Sequence, residues 1–170
     1  MSDRKVLCTL VLDEMSIRKS LTWNPRKQKY YGRVDMGVDF DSDSLDEASQ
    51  CLVFLLTCIN GSWKLPVGYF FRTSLTGEQK CNLVQICLQM TEEAEVNVVA
   101  LTCDGPATNF SMLESLGCKN IAQNLEITKF KYRESIVNVF IDPCHAVKLV
   151  RNAFGELRVF FDLQIFVRPF

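Results

Sequence analysis

The sequence has little of what a zinc site requires. Its 170 residues include one histidine, His145, and no two of its eight cysteines form a Cys-x-x-Cys pair. Structural zinc sites use closely spaced ligand pairs, so a structural zinc is not expected. Several cysteines, among them Cys8 and Cys58, lie inside apolar runs, where a thiol behaves as a small buried hydrophobe. This cysteine usage predicts a reduced, intracellular protein.

Long apolar runs, a secretory leader and a strong net charge are also missing. No stretch reaches the about 18 to 20 apolar residues that span a bilayer, so no membrane partner is expected. Residues 1–5 lead directly into a run that is too short for a signal-peptide core. The net charge is −1, so the chain as a whole does not attract nucleic acid. Positive charge is instead local, in three basic clusters: Arg26, Lys27, Lys29 and Arg33; Lys129, Lys131 and Arg133; Lys148 and Arg151.

What the chain does contain is enough apolar sequence for a sizeable core. Hydrophobic residues make up 48% and charged residues 23% of it, which are the proportions of a folded protein. No internal repeat, low-complexity tract or domain boundary is visible. The sequence therefore predicts a single domain over residues 1–170.

Short apolar runs and turn signals predict the order of the elements. Residues 6–12 read as a buried strand, and two further strands flank the hairpin signal Asn60-Gly61. Pro66 inside the second of these predicts an edge strand or a bulge. Helical spacing follows over residues 76–94, with Thr76 as a possible cap.

The later part of the chain alternates strands with helices. A strand is predicted over residues 96–102, a helix from Pro106 to about Leu116, and a strand over residues 136–141 after a basic loop. A last helix ends near Gly155. Early antiparallel strands followed by parallel additions predict an α/β fold, a mixed sheet flanked by helices. An RNase H-like domain has this plan, although doubly wound folds share its later half.

Asp13 and Asp104 are the strongest candidates for chemistry. Each ends or closely follows a buried apolar run, where a carboxylate is costly unless something pairs with it. If the two strands lie side by side, the pair forms an oxygen site for a hard divalent cation. Two alternatives stay open: Asp13 could cap a loop, and Asp104 could be the N-cap of the helix that opens at Pro106. Glu14 should point to the opposite face of its strand and is left out of the site.

Four further residues have both a structural and a functional interpretation. Asp142, before Pro143, is a good helix N-cap, and a lone histidine such as His145 is more often structural than a ligand. Lys148 and Arg151 could bind a DNA phosphate backbone, or could favour the second half of their helix through its dipole.

Four segments in register add a family resemblance. They are Leu12–Lys19, Trp63–Phe70, Leu101–Gly105 and Asp142–Asn152. Together they resemble the catalytic core of P-element-type transposases, and the resemblance covers about residues 7–155. The remaining residues, 156–170, would be a tail or the start of an insertion domain.

This resemblance implies an RNase H-like core in which two aspartates and a glutamate hold two Mg²⁺ or Mn²⁺ ions. Asp13 and Asp104 match the two aspartates, whereas the glutamate would follow a long insertion that binds a guanine nucleotide. We expect the chain to lack that insertion and the zinc-coordinating DNA-binding domain of the family, so that it is a C-terminally truncated core.

The function implied by the resemblance is metal-dependent DNA cleavage and strand transfer. The implied partner is DNA at transposon ends, with a possible homo-oligomer and a nuclear location. With two of three ligands, the chain alone is expected to be inactive or very weak. The alternative is a domesticated, non-enzymatic remnant that binds DNA or another protein.

Overall fold

A computed structural model describes residues 5–35, 46–118, 128–157, 159–160 and 168–169. The strands are β1 (Val6–Ser16), β2 (Thr22–Asn24), β3 (Lys29–Tyr31), β4 (Gln50–Cys58), β5 (Lys64–Arg72), β6 (Val96–Cys103), β7 (Lys129–Tyr132), β8 (Ser135–Ile141), β9 (Val159–Phe160) and β10 (Arg168–Pro169). The helices are α1 (Gly77–Glu93), α2 (Ala107–Ser115) and α3 (Pro143–Leu157). No helix among the described residues is long and apolar enough to cross a membrane.

The centre of the fold is a six-stranded mixed sheet in the order β5-β4-β1-β6-β8-β7. Strands β5, β4 and β1 pair antiparallel, whereas β6 pairs parallel with both β1 and β8. The expectation of an antiparallel first part and parallel additions is therefore confirmed. Two separate two-stranded ribbons, β2-β3 and β9-β10, complete the described strands.

One hydrophobic core joins β1 to the first two helices. Alternate residues of β1 are fully buried, because successive side chains of a strand point to opposite faces of its sheet. Cys8, Leu10 and Leu12 are at most 1% exposed and belong to the same core cluster as Val84 of α1 and Met112 of α2. Asp13, the next residue, points to the other face and is exposed.

The helix ends follow the signals in the sequence. Thr76 caps α1 in a capping box: its hydroxyl accepts from the Gln79 amide at 3.2 Å, and the Gln79 side chain accepts from the Thr76 amide at 3.0 Å. At the end of α2, Gly117 has φ +105°, a left-handed conformation that glycine adopts without strain. All three predicted helices are confirmed to within a few residues.

Strand β5 lies at the edge of the sheet and contains a bulge next to Pro66, so both alternatives that Pro66 predicted are present. The pairing of β4 with β5 shifts register between Phe54 and Leu55, and Leu55 then pairs with Pro66. The connection before β5 is longer than a two-residue turn. In this connection, Asn60 Oδ1 accepts a hydrogen bond from the Leu7 amide at 3.1 Å, and Asn60 Nδ2 donates to the Lys5 carbonyl at 2.8 Å. These two bonds hold the connection against the start of β1.

The predicted basic loop before β8 is wrong over residues 129–132. These residues form β7, which pairs antiparallel with β8. Phe130 is buried between the exposed Lys129 and Lys131, the alternation of a half-buried strand. In the apolar tail, the structure describes the short strands β9 and β10, which pair antiparallel with each other. The prediction that residues 156–170 are a tail or the start of an insertion domain falls otherwise on residues outside the described ones.

Candidate functional site

Asp13 and Asp104 occupy matching positions on neighbouring parallel strands. Val11 of β1 pairs with Thr102 of β6, and each aspartate comes two residues later in its chain. The carboxyl ends of parallel strands lie at the same edge of a sheet, so both aspartates lie at that edge. The charge of Asp13 raises the pKa of Asp104, as expected for two neighbouring carboxylates. The juxtaposition that the sequence predicted conditionally is thus present.

Asp104 is half-buried and held by Asn109 of α2. The Asn109 side-chain amide donates to Asp104 Oδ1 in a short hydrogen bond, and also to the Asp104 backbone carbonyl at 3.3 Å. Burial is the largest cause that raises the pKa of Asp104. His145 and Lys80 lower that pKa, and Asp13 and Glu14 raise it further. The neighbouring Asp13 and Asp104 carboxylates are therefore the pair that could bind a cation.

Asp104 is not the N-cap of α2. The N-cap position is occupied by Pro106, and no side chain caps the first turn. The Asp104 carboxylate binds the Asn109 side chain instead, so the capping interpretation is wrong for this residue.

Behind the two aspartates lies a buried ion-pair network that the sequence interpretation missed. Glu14 does point away from Asp13, and its carboxylate contacts the guanidinium of Arg72 and, at 2.5 Å, the ammonium of Lys80. Both cations are 2% exposed, and burial lowers the pKa of Arg72 while Glu14 raises it. Buried charges of this kind need partners, and here each has one.

Lys80 connects this network to the candidate metal site. Its ammonium donates to Asn109 Oδ1 at 2.6 Å and to Thr108 Oγ1 at 2.8 Å. Because Lys80 is only a donor, it fixes which end of the Asn109 amide faces Asp104. One signal could have revealed Lys80: it lies four residues before Val84, on the buried side of α1.

The segment after β8 brings His145 near Asp104. Asp142 Oδ1 accepts from the Cys144 amide at 2.9 Å, and the Asp142 carbonyl accepts from the Ala146 amide at 2.9 Å. The predicted N-cap role of Asp142 is therefore confirmed. His145 lies in the first turn of α3 and lowers the pKa of Asp104.

Lys148 and Arg151 lie on the same helix and are both exposed. Arg151 donates to the side-chain oxygen of its neighbour Asn152, at 3.0 Å from Nη2. No contact links either residue to Asp13 or Asp104 within the part of the chain that the structure describes. Their assignment to DNA binding stays a prediction.

The donor set fits part of a magnesium site. Carboxylate oxygens are the ligands that Mg²⁺ prefers, and Asp13 and Asp104 supply them at one sheet edge. Among the described residues, no group of three or more histidine, cysteine, aspartate or glutamate side chains is arranged to hold a metal ion. Two carboxylates are thus what these residues offer an ion.

The comparisons with known proteins identify the family. Residues 1–117 match the family described as TNP-like, RNase H N-terminal domain. The chain belongs to this family. This TNP-like RNase H domain is 28% identical over 155 residues to human DNA transposase THAP9. The alignment covers 89% of the chain and 17% of that relative.

A solved structure confirms the fold. The TNP-like domain is similar to a chain of the Drosophila P element transposase strand transfer complex, with a TM-score of 0.66 and 22% identity. The likeness covers 88% of this chain and 29% of the other. The resemblance to P-element-type transposases and the RNase H-like α/β fold are therefore confirmed, and the chain spans less than a third of either relative.

Proposed function

We propose that this TNP-like domain supplies the first two metal-binding aspartates of a DNA transposase core. Asp13 and Asp104 would ligate Mg²⁺ or Mn²⁺ in the cleavage and transfer of DNA strands. The observation that carries the proposal is their matching position on the parallel strands β1 and β6. The relation to a DNA transposase supports DNA as the substrate and the nucleus as the location.

The ion, when bound, would activate a water or a DNA 3′-hydroxyl and neutralise charge on the attacked phosphate. The chain's own residues prepare that site. Asn109 orients the Asp104 side chain through its hydrogen bond to Oδ1, and the Asp104 carboxylate would be a ligand of the ion. Asp13 is exposed on the same edge of the sheet, so its carboxylate is open to a ligand from solvent. His145 adds a polar side chain beside Asp104 and could contact the phosphate.

We expect the isolated chain to be inactive or very weak in cutting DNA. Mg²⁺ demands near-octahedral geometry, and two carboxylates hold a pair of ions poorly. The complete reaction would need a third carboxylate. The guanine nucleotide and the homo-oligomer that the family resemblance implies also stay predictions.

Thermal unfolding with Mn²⁺ tests the proposed site. We expect millimolar Mn²⁺ to raise the melting temperature of the wild-type chain, since an ion that binds the folded state stabilises it. Asp13→Asn and Asp104→Asn should remove that rise. Glu134→Gln is the matched control, because the Glu134 side chain is 95% exposed in the turn between β7 and β8 and pairs with Lys131 at 3.6 Å. Electron paramagnetic resonance of free Mn²⁺ would count the bound ions directly.

The outcomes separate the proposed site from the non-enzymatic alternative. An unchanged melting curve and no bound Mn²⁺ would exclude a preserved metal site and leave a remnant that binds DNA or protein. That alternative is favoured by exposed apolar side chains such as Val147 and Leu157 of α3, which are 68% and 70% exposed. DNA nicking by the isolated chain that Asp104→Asn abolishes would contradict the expected inactivity.

A further inference from the structure

The segment between β1 and residue 35 is strongly basic. Residues 17–34 carry six cationic side chains and no aspartate or glutamate, in a chain whose net charge is −1. These side chains are Arg18, Lys19, Arg26, Lys27, Lys29 and Arg33. The chain turns acidic again from Asp35, which pairs with Lys29 at 3.6 Å, and Glu47 forms a β-bridge with Arg33. Such a concentration of cations is the electrostatic signature of a phosphate-binding surface.

The same segment exposes an aromatic pair. Strands β2 and β3 form a hairpin in which Trp23 lies opposite Tyr30, with ring centroids 4.9 Å apart. The two residues are 48% and 46% exposed, whereas aromatic side chains of a core are buried. The guanidinium of Arg33 lies over the Tyr30 ring, 5.2 Å from its centre. Flat exposed rings bordered by cations suit the stacking of bases and the pairing of phosphates.

The hairpin is tied to the sheet by tight contacts at its base. Gly32 has φ +98°, and a Cβ at this position would lie 1.8 Å from the Ser20 carbonyl oxygen, so only glycine allows this approach. The Gly32 carbonyl accepts from the Ala48 amide at 2.9 Å. At the other end of the hairpin, Asn24 Oδ1 accepts from the amides of Arg26 and Lys27 at 3.0 and 3.2 Å, which orders the turn.

Chain connectivity places the start of this hairpin at the same end of the sheet as the candidate metal site. Strand β1 continues from Asp13 to Ser16, and the hairpin follows directly from that carboxyl end. The Ile17 amide donates to the Ser49 carbonyl at 2.9 Å, which keeps the start of the segment against the sheet. The basic segment and Asp13 therefore share one end of the sheet, where a single bound DNA could contact both.

We propose that residues 18–33, termed here the basic hairpin, bind DNA next to the metal site. Its cations would pair with backbone phosphates, and Trp23 and Tyr30 would stack on an unpaired base near the cleaved bond. The choice of DNA rests on the proposed function, whereas the binding itself needs no metal. Measurements in EDTA therefore separate the two proposals.

Fluorescence anisotropy with a labelled oligonucleotide in EDTA tests the charges. We expect Arg26→Ala with Lys27→Ala to weaken binding and to lower the slope of log affinity against log salt by about 1 to 2, because each lost phosphate contact removes about 0.7 to 0.9. Lys129→Ala with Lys131→Ala is the matched control, since it removes the same charge from exposed positions on β7 at the far edge of the sheet. The control should keep the wild-type slope.

Tryptophan fluorescence tests the stacking. The chain has two tryptophans, so Trp63→Phe leaves Trp23 as the sole emitter. We expect single-stranded DNA to quench its emission, and Tyr30→Ala to weaken single-strand binding about 5- to 100-fold with the salt slope unchanged. Equal losses in the β7 control, or no quenching of Trp23 by bound DNA, would overturn the inference. A preference for RNA of the same sequence would overturn the choice of DNA.

The two proposals can fail independently. Binding that depends on the basic hairpin, without any Mn²⁺ response, would support the inference and refute the metal site. A Mn²⁺ response with DNA binding that is indifferent to the basic hairpin would refute the inference alone.

Discussion

Replacing Lys80 by methionine is the sharpest test of the buried ion-pair network. The change keeps much of the side-chain volume but removes the ammonium that contacts Glu14 at 2.5 Å, Asn109 Oδ1 at 2.6 Å and Thr108 Oγ1 at 2.8 Å. Breaking a buried pair usually costs about 3 to 5 kcal/mol, because one charge stays behind without its partner. Here Arg72 still contacts Glu14, so we expect the lower end, about 3 kcal/mol.

The assays are urea unfolding and thermal unfolding in EDTA, both followed by circular dichroism. A loss of about 3 kcal/mol should lower the melting temperature by about 6 to 12 °C in a domain of this size. Lys64→Met is the matched control, because Lys64 is an exposed lysine on the edge strand β5 and should change stability by less than about 0.5 kcal/mol. In a double-mutant cycle with Glu14→Gln, the combined loss should be smaller than the sum of the single losses.

A Lys80→Met chain as stable as the wild type, or more stable, would refute this reasoning. It would mean that the cost of taking the ammonium out of water equals or exceeds what its contacts return, as happens for some buried ion pairs. Additive losses in the double-mutant cycle would show that Lys80 and Glu14 do not stabilise each other.

Two further predictions concern Asp104 and the start of α1. Burial raises the pKa of Asp104 above its ordinary value, so the stability from this group is greatest below that value and is lost as pH rises through the folded-state pKa. Asp104→Asn should therefore be more stable than the wild type in EDTA at pH 7.5. The difference between the urea midpoints of the variant and the wild type should become smaller as the pH is lowered to 4.5. A difference that does not change with pH would contradict this. Thr76→Ala should cost about 1 kcal/mol by removing the capping box, whereas Thr73→Ala, in the exposed connection before α1, should cost almost nothing.

The parts of the fold that the sequence predicted are those set by local signals. Continuous apolar runs marked the parallel strands, Thr76 and Gly117 marked helix ends, and Pro66 marked an edge. Each of these signals acts through the residue itself or its near neighbours in the chain. Strand β7 was missed because its alternating lysines resemble a solvated loop when its partner strand is unknown.

The candidate site divides in the same way. Asp13 and Asp104 were found because an acid at the end of an apolar run is unusual, and their meeting required only that β1 and β6 be neighbours. The partners of Glu14 could not be predicted from such a local pattern. Arg72 and Lys80 come from elements far along the chain and contact Glu14 only through tertiary packing. Which polar residue meets which depends on the completed fold.

The parallel pairing of β1 with β6 has a consequence for how the domain is made. The chain between these two strands contains β4, β5 and α1. The pairing of β1 with β6, which brings Asp13 and Asp104 to one edge of the sheet, therefore closes a large loop. Such long-range pairings form slowly, because the entropy of loop closure is lost before the contacts form. A growing chain would thus not bring Asp13 and Asp104 together until β6 docks, so the proposed metal site could not capture an ion during the earlier steps of synthesis.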